Sequence, residues 1–419
     1  MVQIKNITAR EILDSRGNPT VEAEVTLTDG TVSSASVPSG ASRGKNEAYE
    51  KRDENSSRYH SKGVLSAVAS VTDIIAPALV GMSAYDNAEA DSVMITLDGM
   101  YNKSSLGANA ILSVSLALTR AAARSLGLPI YRYVGGSFAY RMPVPMMNIL
   151  NGGAHAGNNI DIQEFMIIPI GASSFSEAVR ICSEIYQRLK NDLNSRRMNT
   201  GVGDEGGFAP SLSDDAEALE IICEAISGAG YKAGEEIALG IDVAASEWYT
   251  DGTYYLPKRK TSMSADELSD YILGLVKGFP IISVEDAMAD SDKYGWKRLS
   301  KKFESERTIL VGDDLFVTDA ARIEEGAEEG IANAALIKPN QIGTLTETAE
   351  AVRTAHVYGY KTVMSHRSGE TEDSIIADLS VGLSTHFIKT GAPARSERTA
   401  KYNRLMKIEE ELFSPTYGF

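Results

Sequence analysis

Acids and bases recur where apolar, strand-like runs of this chain end. Eight such runs follow Met142: PVPMMNIL, DIQEFMIIP, IALGIDVAAS, PIISVEDA, TILVGDD, AALIKP, KTVMSH and FIKTG. Their C-terminal ends are read as carrying Gln163 and Glu164 in the second run, then Asp242, Glu285, Asp313, Lys338, His366 with Arg367 and Ser368, and Lys389. One charged residue at a strand end is ordinarily a cap or a salt-bridge partner. A whole series on one rim would converge in the mouth of a single barrel. Asp242, Glu285 and Asp313 lie on successive strands. Three hard oxygen ligands without cysteine or histidine suit Mg2+ completed by water or substrate, rather than Zn2+. The same carboxylates packed without a cation would repel. Lys338 and Lys389 should face the same cavity. An unperturbed lysine costs roughly 4–5 kcal/mol to deprotonate at neutral pH. A divalent metal and a second ammonium lower that cost, so Lys338 is expected to have a depressed pKa and to serve as a base. Arg367 and Ser368 supply a planar donor fork and a hydroxyl, apt for phosphate.

Two glycine-rich stretches look like nucleotide motifs and fail on context. Gly201 to Gly206, GVGDEG, matches GxGxxG, yet it precedes Phe208-Ala209-Pro210 rather than a helix and carries two acids where a pyrophosphate would sit. Asp204-Glu205 in a glycine turn reads better as an acid placed against bound substrate. Gly40 to Lys45, GASRGK, is one residue short of the phosphate-loop spacing, with Asn46 where Ser or Thr must bind magnesium. The loop Pro38 to Ala48 is therefore a surface turn or an active-site lid.

The elements that must position these groups fall into two parts. Val2 to Val37 reads as an antiparallel meander, with Val21, Ala23, Val25 and Leu27 alternating with polar residues and Asp29-Gly30 at a hairpin turn. Helical segments follow from about Gly63 to Gly127, and the Ala- and Leu-rich stretch Gly107 to Leu126 should be buried. Composition turns to Gly and Ser at Val134-Gly135-Gly136-Ser137, the expected boundary. Beyond it, strands alternate with mostly helical connections, as along Phe175 to Leu193, where apolar residues form one stripe at helical spacing. Eight strands so connected make a barrel of (β/α)8 content. The short loop NGGAHAGNN leaves no room for a helix between the first two strands, so the barrel should open antiparallel. In the stretch Thr308 to Asn340, Thr318 is the expected N-cap of the helix between the fifth and sixth strands.

At 419 residues, with 43% hydrophobic and 23% charged residues, the chain fits a soluble protein of two domains. A net charge of −16 argues against general nucleic-acid binding, while a local metal, Arg and Lys site still admits an anionic substrate. Cys182 and Cys223 sit in apolar helical stretches and are expected in the core. No apolar run is long enough to span a bilayer, the N-terminus lacks a secretion-signal core, and the cytoplasm is the expected compartment.

The motifs resemble those of the enolase (phosphopyruvate hydratase) family of the bacterial kind, nearly end to end. They include DSRGNPT at Asp14 to Thr20, PSGAS at Pro38 to Ser42, LGANAIL at Leu106 to Leu112, MNILNGGAHA at Met147 to Ala156, QEFM at Gln163 to Met166, GDEGGFAP at Gly203 to Pro210 and SVED at Ser283 to Asp286. GDDLFVT, IKPNQIGTLTET, SHRSGETED and IKTG continue the series in family order. The resemblance implies an α/β fold: an N-terminal α+β cap domain with a lid loop over residues 1–136, then a modified (β/α)8 TIM-like barrel with a ββαα start over 137–419. It implies reversible dehydration of 2-phospho-D-glycerate to phosphoenolpyruvate in glycolysis and gluconeogenesis, through an enediolate and with two Mg2+ per site. Carried over by position, Asp242, Glu285 and Asp313 bind the first Mg2+ and Ser42 closes onto the second. Lys338 is the base, Glu205 the general acid and Glu164 its support. Lys389 holds the substrate carboxylate, Arg367 and Ser368 the phosphate, and His155, Gln163 and His366 complete the substrate contacts.

Departures lie in the lid, where Arg43 stands in the usual place of Thr beside Lys45 and Asn46, and at Ala287, where glycine is common. The second strand lacks the K-x-K pair of the cycloisomerase and racemase relatives. A non-catalytic homologue with a structural or surface-binding role would have lost ligands or base, and this chain keeps them. The resemblance also implies a homodimer, or a larger octameric assembly of dimers, with a small phosphorylated substrate and secondary presence at the cell surface.

Overall fold

The computed structural model describes residues 1–40, 44–54 and 56–419, with the backbone but not the side chain of His155. Strands β1 (Ile4–Leu13), β2 (Pro19–Leu27) and β3 (Val32–Ser36) pair antiparallel in chain order. The alternation read in β2 is a burial pattern: Val21, Ala23, Val25 and Leu27 are fully buried. They pack with α2 (Ala108–Ser125), which follows α1 (Asn87–Asp98) and lies across β2 and β3. Almost every residue of α2 is buried. Among the described residues no single helix is long and apolar enough to cross a membrane.

The second part is built from strands β4 (Val144–Asn151) and β5 (Glu164–Ile168), helices α3 (Phe175–Ser195) and α4 (Asp215–Gly228), and β6 (Ala238–Asp242). Helices and strands then alternate: α5 (Ala265–Gly278), β7 (Ile281–Glu285), α6 (Lys293–Phe303), β8 (Ile309–Gly312), α7 (Ala320–Glu328), β9 (Ala334–Ile337), α8 (Leu345–Val357), β10 (Lys361–Ser365), α9 (Ile375–Gly382), β11 (Phe387–Lys389) and α10 (Ser396–Glu411). Strands β4 to β11 close into a barrel in chain order. β5 runs antiparallel to both β4 and β6, and the other pairs are parallel. The fold is thus the expected α/β architecture, with the ββαα opening.

That reversal corrects one reading. Gln163 and Glu164 stand at the start of the second strand, not its end. Because β5 points the other way, its start shares a rim with the ends of its neighbours, and Glu164 lies in register with Asp242.

Side-chain alternation carries the polar residues inward. Val144, Met146, Met166, Ile168, Ala238, Ile309, Val311, Ala334, Leu336, Val363 and Phe387 pack together as one apolar cluster. A step of two or four residues along the same faces leads from Met166 to Glu164, Ala238 to Asp242, Val311 to Asp313, Leu336 to Lys338 and Phe387 to Lys389. Apolar layers close the barrel below, and the charged layer forms its mouth.

The turn after β8 also departs from expectation. Asp319, not Thr318, caps α7, accepting from the Ala321 and Arg322 amides at 2.9 and 3.4 Å. A carboxylate is the better acceptor at the positive end of a helix. Thr318 instead accepts from the Lys338 amide at 2.9 Å and donates to Gln341 Oε1 at 2.8 Å, tying β8 to β9. Cys182 is buried as expected, whereas Cys223 is only half-buried. Beneath the turn lies Phe316, 1% exposed, against which a Cβ at Gly312 would come within 2.6 Å. Phe316→Ala should therefore cost about 3–5 kcal/mol of stability, read as a lowered denaturant midpoint at constant slope.

Candidate active site

The mouth of the barrel holds a cleft lined by Glu164, Glu205, Asp313, Lys338, His366 and Arg367 among others. At its floor the Lys389 ammonium lies among three buried carboxylates, 3.1 Å from Glu164, 3.2 Å from Asp242 and 2.9 Å from both Glu285 oxygens. Burial and the neighbouring Asp242 push the Glu285 carboxyl up to about 8 despite Lys389. Burial, and then the charge of Glu205, raise Glu164 well above the usual range. Burial opposes the charge on Lys389, but Asp242, Glu164 and Glu285 outweigh it and hold its pKa high. Gln163 donates to Asp242 at 3.4 Å.

A second ion pair joins Lys338 and Asp313. Gln341, itself buried, donates to the other Asp313 oxygen at 2.8 Å. Burial works to depress Lys338, yet Asp313 prevails and its pKa is raised. The depressed pKa expected for a base is that of Lys338 beside a divalent cation. The expectation counted a metal and a second ammonium, whereas the nearest opposite charge here is the Asp313 carboxylate.

Asp286 and Asp314 were given no role from sequence, although both follow assigned acids directly. Among the described residues, Asp286, Asp313 and Asp314 are the group whose carboxylate oxygens all lie within 4.8 Å of one another. Asp242 and Glu285 are instead brought together on Lys389. Asp286 accepts from the Asp313 and Asp314 amides at 2.8 and 3.0 Å, so it shapes the turn that presents Asp313. Asp314 is pushed up to about 7 by burial and by Asp313.

Across the cleft, Glu205 is buried and accepts from Asn148 at 3.0 Å. Its turn needs glycine next: Gly206 has φ +88°, and a Cβ there would meet Ala392 and the Ala394 carbonyl at 3.1 Å. His366 stands 3.7 Å from Glu205, and burial holds its pKa well below the usual value. Arg398 donates to His366 Nδ1 at 2.6 Å, so the neutral ring carries its proton on Nε2. That nitrogen is buried with no hydrogen-bond partner among the described residues, a donor left for something in the cleft. Arg398 also donates to the Arg367 and Ser368 carbonyls at 2.6 Å each, fixing the loop that follows β10.

The Arg367 guanidinium holds Glu47 through two bonds of 3.0 and 3.2 Å. Ser368 lines the same cleft. Glu47 was missed because it lies within the Pro38–Ala48 glycine loop rather than at a strand end. Ser39 and Gly369 exchange backbone bonds of 2.7 and 2.9 Å, which seat the start of that loop beside Arg367. Ser42 and Arg43, and the side chain of His155, lie outside the described residues.

The donor set at the cleft is all oxygen and carries more carboxyls than cations. The Lys389 ammonium offsets part of the charge of Glu164, Asp242 and Glu285. Among the described residues, the converging carboxylates of Asp286, Asp313 and Asp314 could hold a metal ion, and such an all-oxygen donor set suits a hard cation.

Two family models match the sequence. The one described as "Enolase, N-terminal domain" covers residues 4–134, and "Enolase, C-terminal TIM barrel domain" covers residues 139–417.

Removing the Lys389 ammonium tests the charge balance directly. Lys389→Met should lower stability by about 3–5 kcal/mol in chelating buffer, since it strands buried carboxylates. Carboxyls whose folded pKa lies above the unfolded value stabilise at low pH and lose that contribution as pH rises through the folded pKa. The deficit should therefore be larger at pH 8 than at pH 5 in paired denaturation curves.

Proposed function

The chain belongs to the enolase family, and on that premise we propose that it is a lyase of the phosphopyruvate hydratase type, reversibly dehydrating 2-phospho-D-glycerate to phosphoenolpyruvate with Mg2+. The observation that carries this reading is a lysine and a carboxyl pair on opposite sides of one buried cleft, beside an arginine suited to phosphate.

Lys338, in the free-amine form that burial favours and the Asp313 charge opposes, takes the proton from the carbon next to the substrate carboxylate, leaving an enediolate. The hydroxyl on the neighbouring carbon then leaves as water, with its proton supplied from Glu205. Glu164, whose burial favours the protonated form, supports that acid by sharing the proton and limiting the charge at the pair. Arg367 and Ser368 grip the phosphoryl group, which fixes the substrate's register against both. Lys389 offers a buried ammonium to the substrate carboxylate, His366 donates from Nε2, and Gln163 and His155 complete the contacts. Two Mg2+ ions, one held by Asp242, Glu285 and Asp313 and one by Ser42 of the loop, would supply positive charge to the substrate carboxylate as the α-proton leaves. A lysine base working beside Mg2+ is the general pattern of proton abstraction in this superfamily.

Two measurements test the reading. Ultraviolet absorbance of the enol product should grow from 2-phosphoglycerate in Mg2+ and stop on chelation; no activity in Mg2+, or full activity after chelation, overturns it. Lys338→Ala should slow exchange of the α-proton with solvent by about 10²–10⁴-fold, the usual contribution of a general base. Binding of Mg2+ should be largely retained, and unchanged exchange would put the base elsewhere.

A further inference from the structure

Arg398 stands in the first turn of α10, and its side chain is fully buried, at 0% exposed. Its stem passes Gly391, where a Cβ would come within 3.0 Å of Arg398 Cδ and 2.7 Å of the Glu205 carbonyl. One terminal nitrogen donates to His366 Nδ1 and to the Arg367 carbonyl, both at 2.6 Å. The other donates to the Ser368 carbonyl at 2.6 Å and to the Asp204 carbonyl at 3.1 Å. The loop that bears Glu205 and the loop that bears Arg367 and Ser368 are thus tied to one guanidinium. Arginine keeps its protons in proteins and accepts no hydrogen bond, so the Nδ1 that faces it is bare. That choice matters because the other ring nitrogen, Nε2, stands 3.7 Å from Glu205. With the proton on Nδ1, a bare Nε2 would face the acid and could draw off its proton. With the proton on Nε2, the ring can only donate there.

Resting on the reading of Glu205 as the general acid, we propose that Arg398 is a positioning residue for that acid: it locks His366 in the tautomer that donates from Nε2, so the ring never takes the proton Glu205 must deliver. The group that faces Nδ1 decides whether Nε2 donates or accepts. A carboxylate in that place would hold the proton on Nδ1 and turn Nε2 into a base, as in a Ser-His-Asp triad. A buried guanidinium does the opposite. Arg398 acts through His366 and is not itself a catalytic residue.

Nitrogen-15 NMR of the full chain, labelled at histidine, reads both ring nitrogens, and loss of signals in His366→Gln assigns them. In the native chain His366 should show a bare Nδ1 and a protonated Nε2 from pH 6 to 8. A proton on Nδ1, or two equally populated tautomers, overturns the proposal without any variant of Arg398. In Arg398→Met the Nε2–H tautomer should lose its dominance, and kcat for 2-phosphoglycerate should fall by about 10–100-fold, the usual cost of losing a partner that orients a histidine. In Arg398→Lys, which keeps a charge and a donor, both readouts should lie nearer their native values. Should Arg398→Met fail to fold, Arg398→Lys decides, since rate and Nε2–H population must move together. A lowered rate with the native tautomer shows that Arg398 only braces the two loops, and overturns the proposal; a changed tautomer with the native rate overturns it too. If the tautomer follows Arg398 but 2-phosphoglycerate is not dehydrated by the native chain, the functional reading fails alone. If dehydration proceeds with the tautomer indifferent to Arg398, this inference fails alone.

Discussion

Buried charge balance at the barrel mouth is the constraint on which the rest of the site depends. Carboxyls outnumber cations there, and all are withdrawn from water, where an unpaired charge costs several kcal/mol. The structure meets this by two means. Lysines and an arginine are driven into the carboxylates: Lys389 among Glu164, Asp242 and Glu285, Lys338 on Asp313, and Arg367 on Glu47. Even so, Glu164 and Asp286, the latter with no cation partner among the described residues, are pushed toward their protonated forms. A cleft balanced this way keeps a permanent demand for positive charge.

The fold can sustain that demand because strand register separates the two chemistries. Inward positions are apolar in the lower layers and charged one or two steps further along the same strands. A one-residue slip would put the charged layer outside the barrel and the apolar layer with it. Registers such as Glu164 with Asp242, Asp242 with Glu285 and Ser365 with Lys389 keep the polar groups at one level. The reversed β5 obeys the same rule from the opposite direction.

Much of this was legible in the sequence because it rests on periodicity. Strand ends, the meander and the antiparallel opening follow from alternation and loop length. Contacts between distant segments do not. Glu47 meets Arg367 across 320 positions, and Arg398 reaches the His366–Ser368 loop from α10. No local pattern announces either. Asp286 was hidden differently: its neighbour Glu285 explained the motif, while its own task is to hold two backbone amides. The direction of the Lys338 shift depends on which charge is nearest, a distance rather than a spacing.

Three internal contacts also share a logic. Each group assigned to hold something from outside is held by a partner of matching charge from inside. Lys389 stands where a cation is wanted, Glu47 where an anion is wanted, and Asp313 keeps Lys338 charged. Such partners satisfy the buried groups without fixing them to an incorrect geometry, since every one is a side chain on a fixed backbone. Binding then becomes an exchange of counter-ions rather than the burial of new charge, and desolvation has already been met in folding. That is the form of preorganisation in which electrostatic stabilisation is strongest, because little need reorient when charge develops.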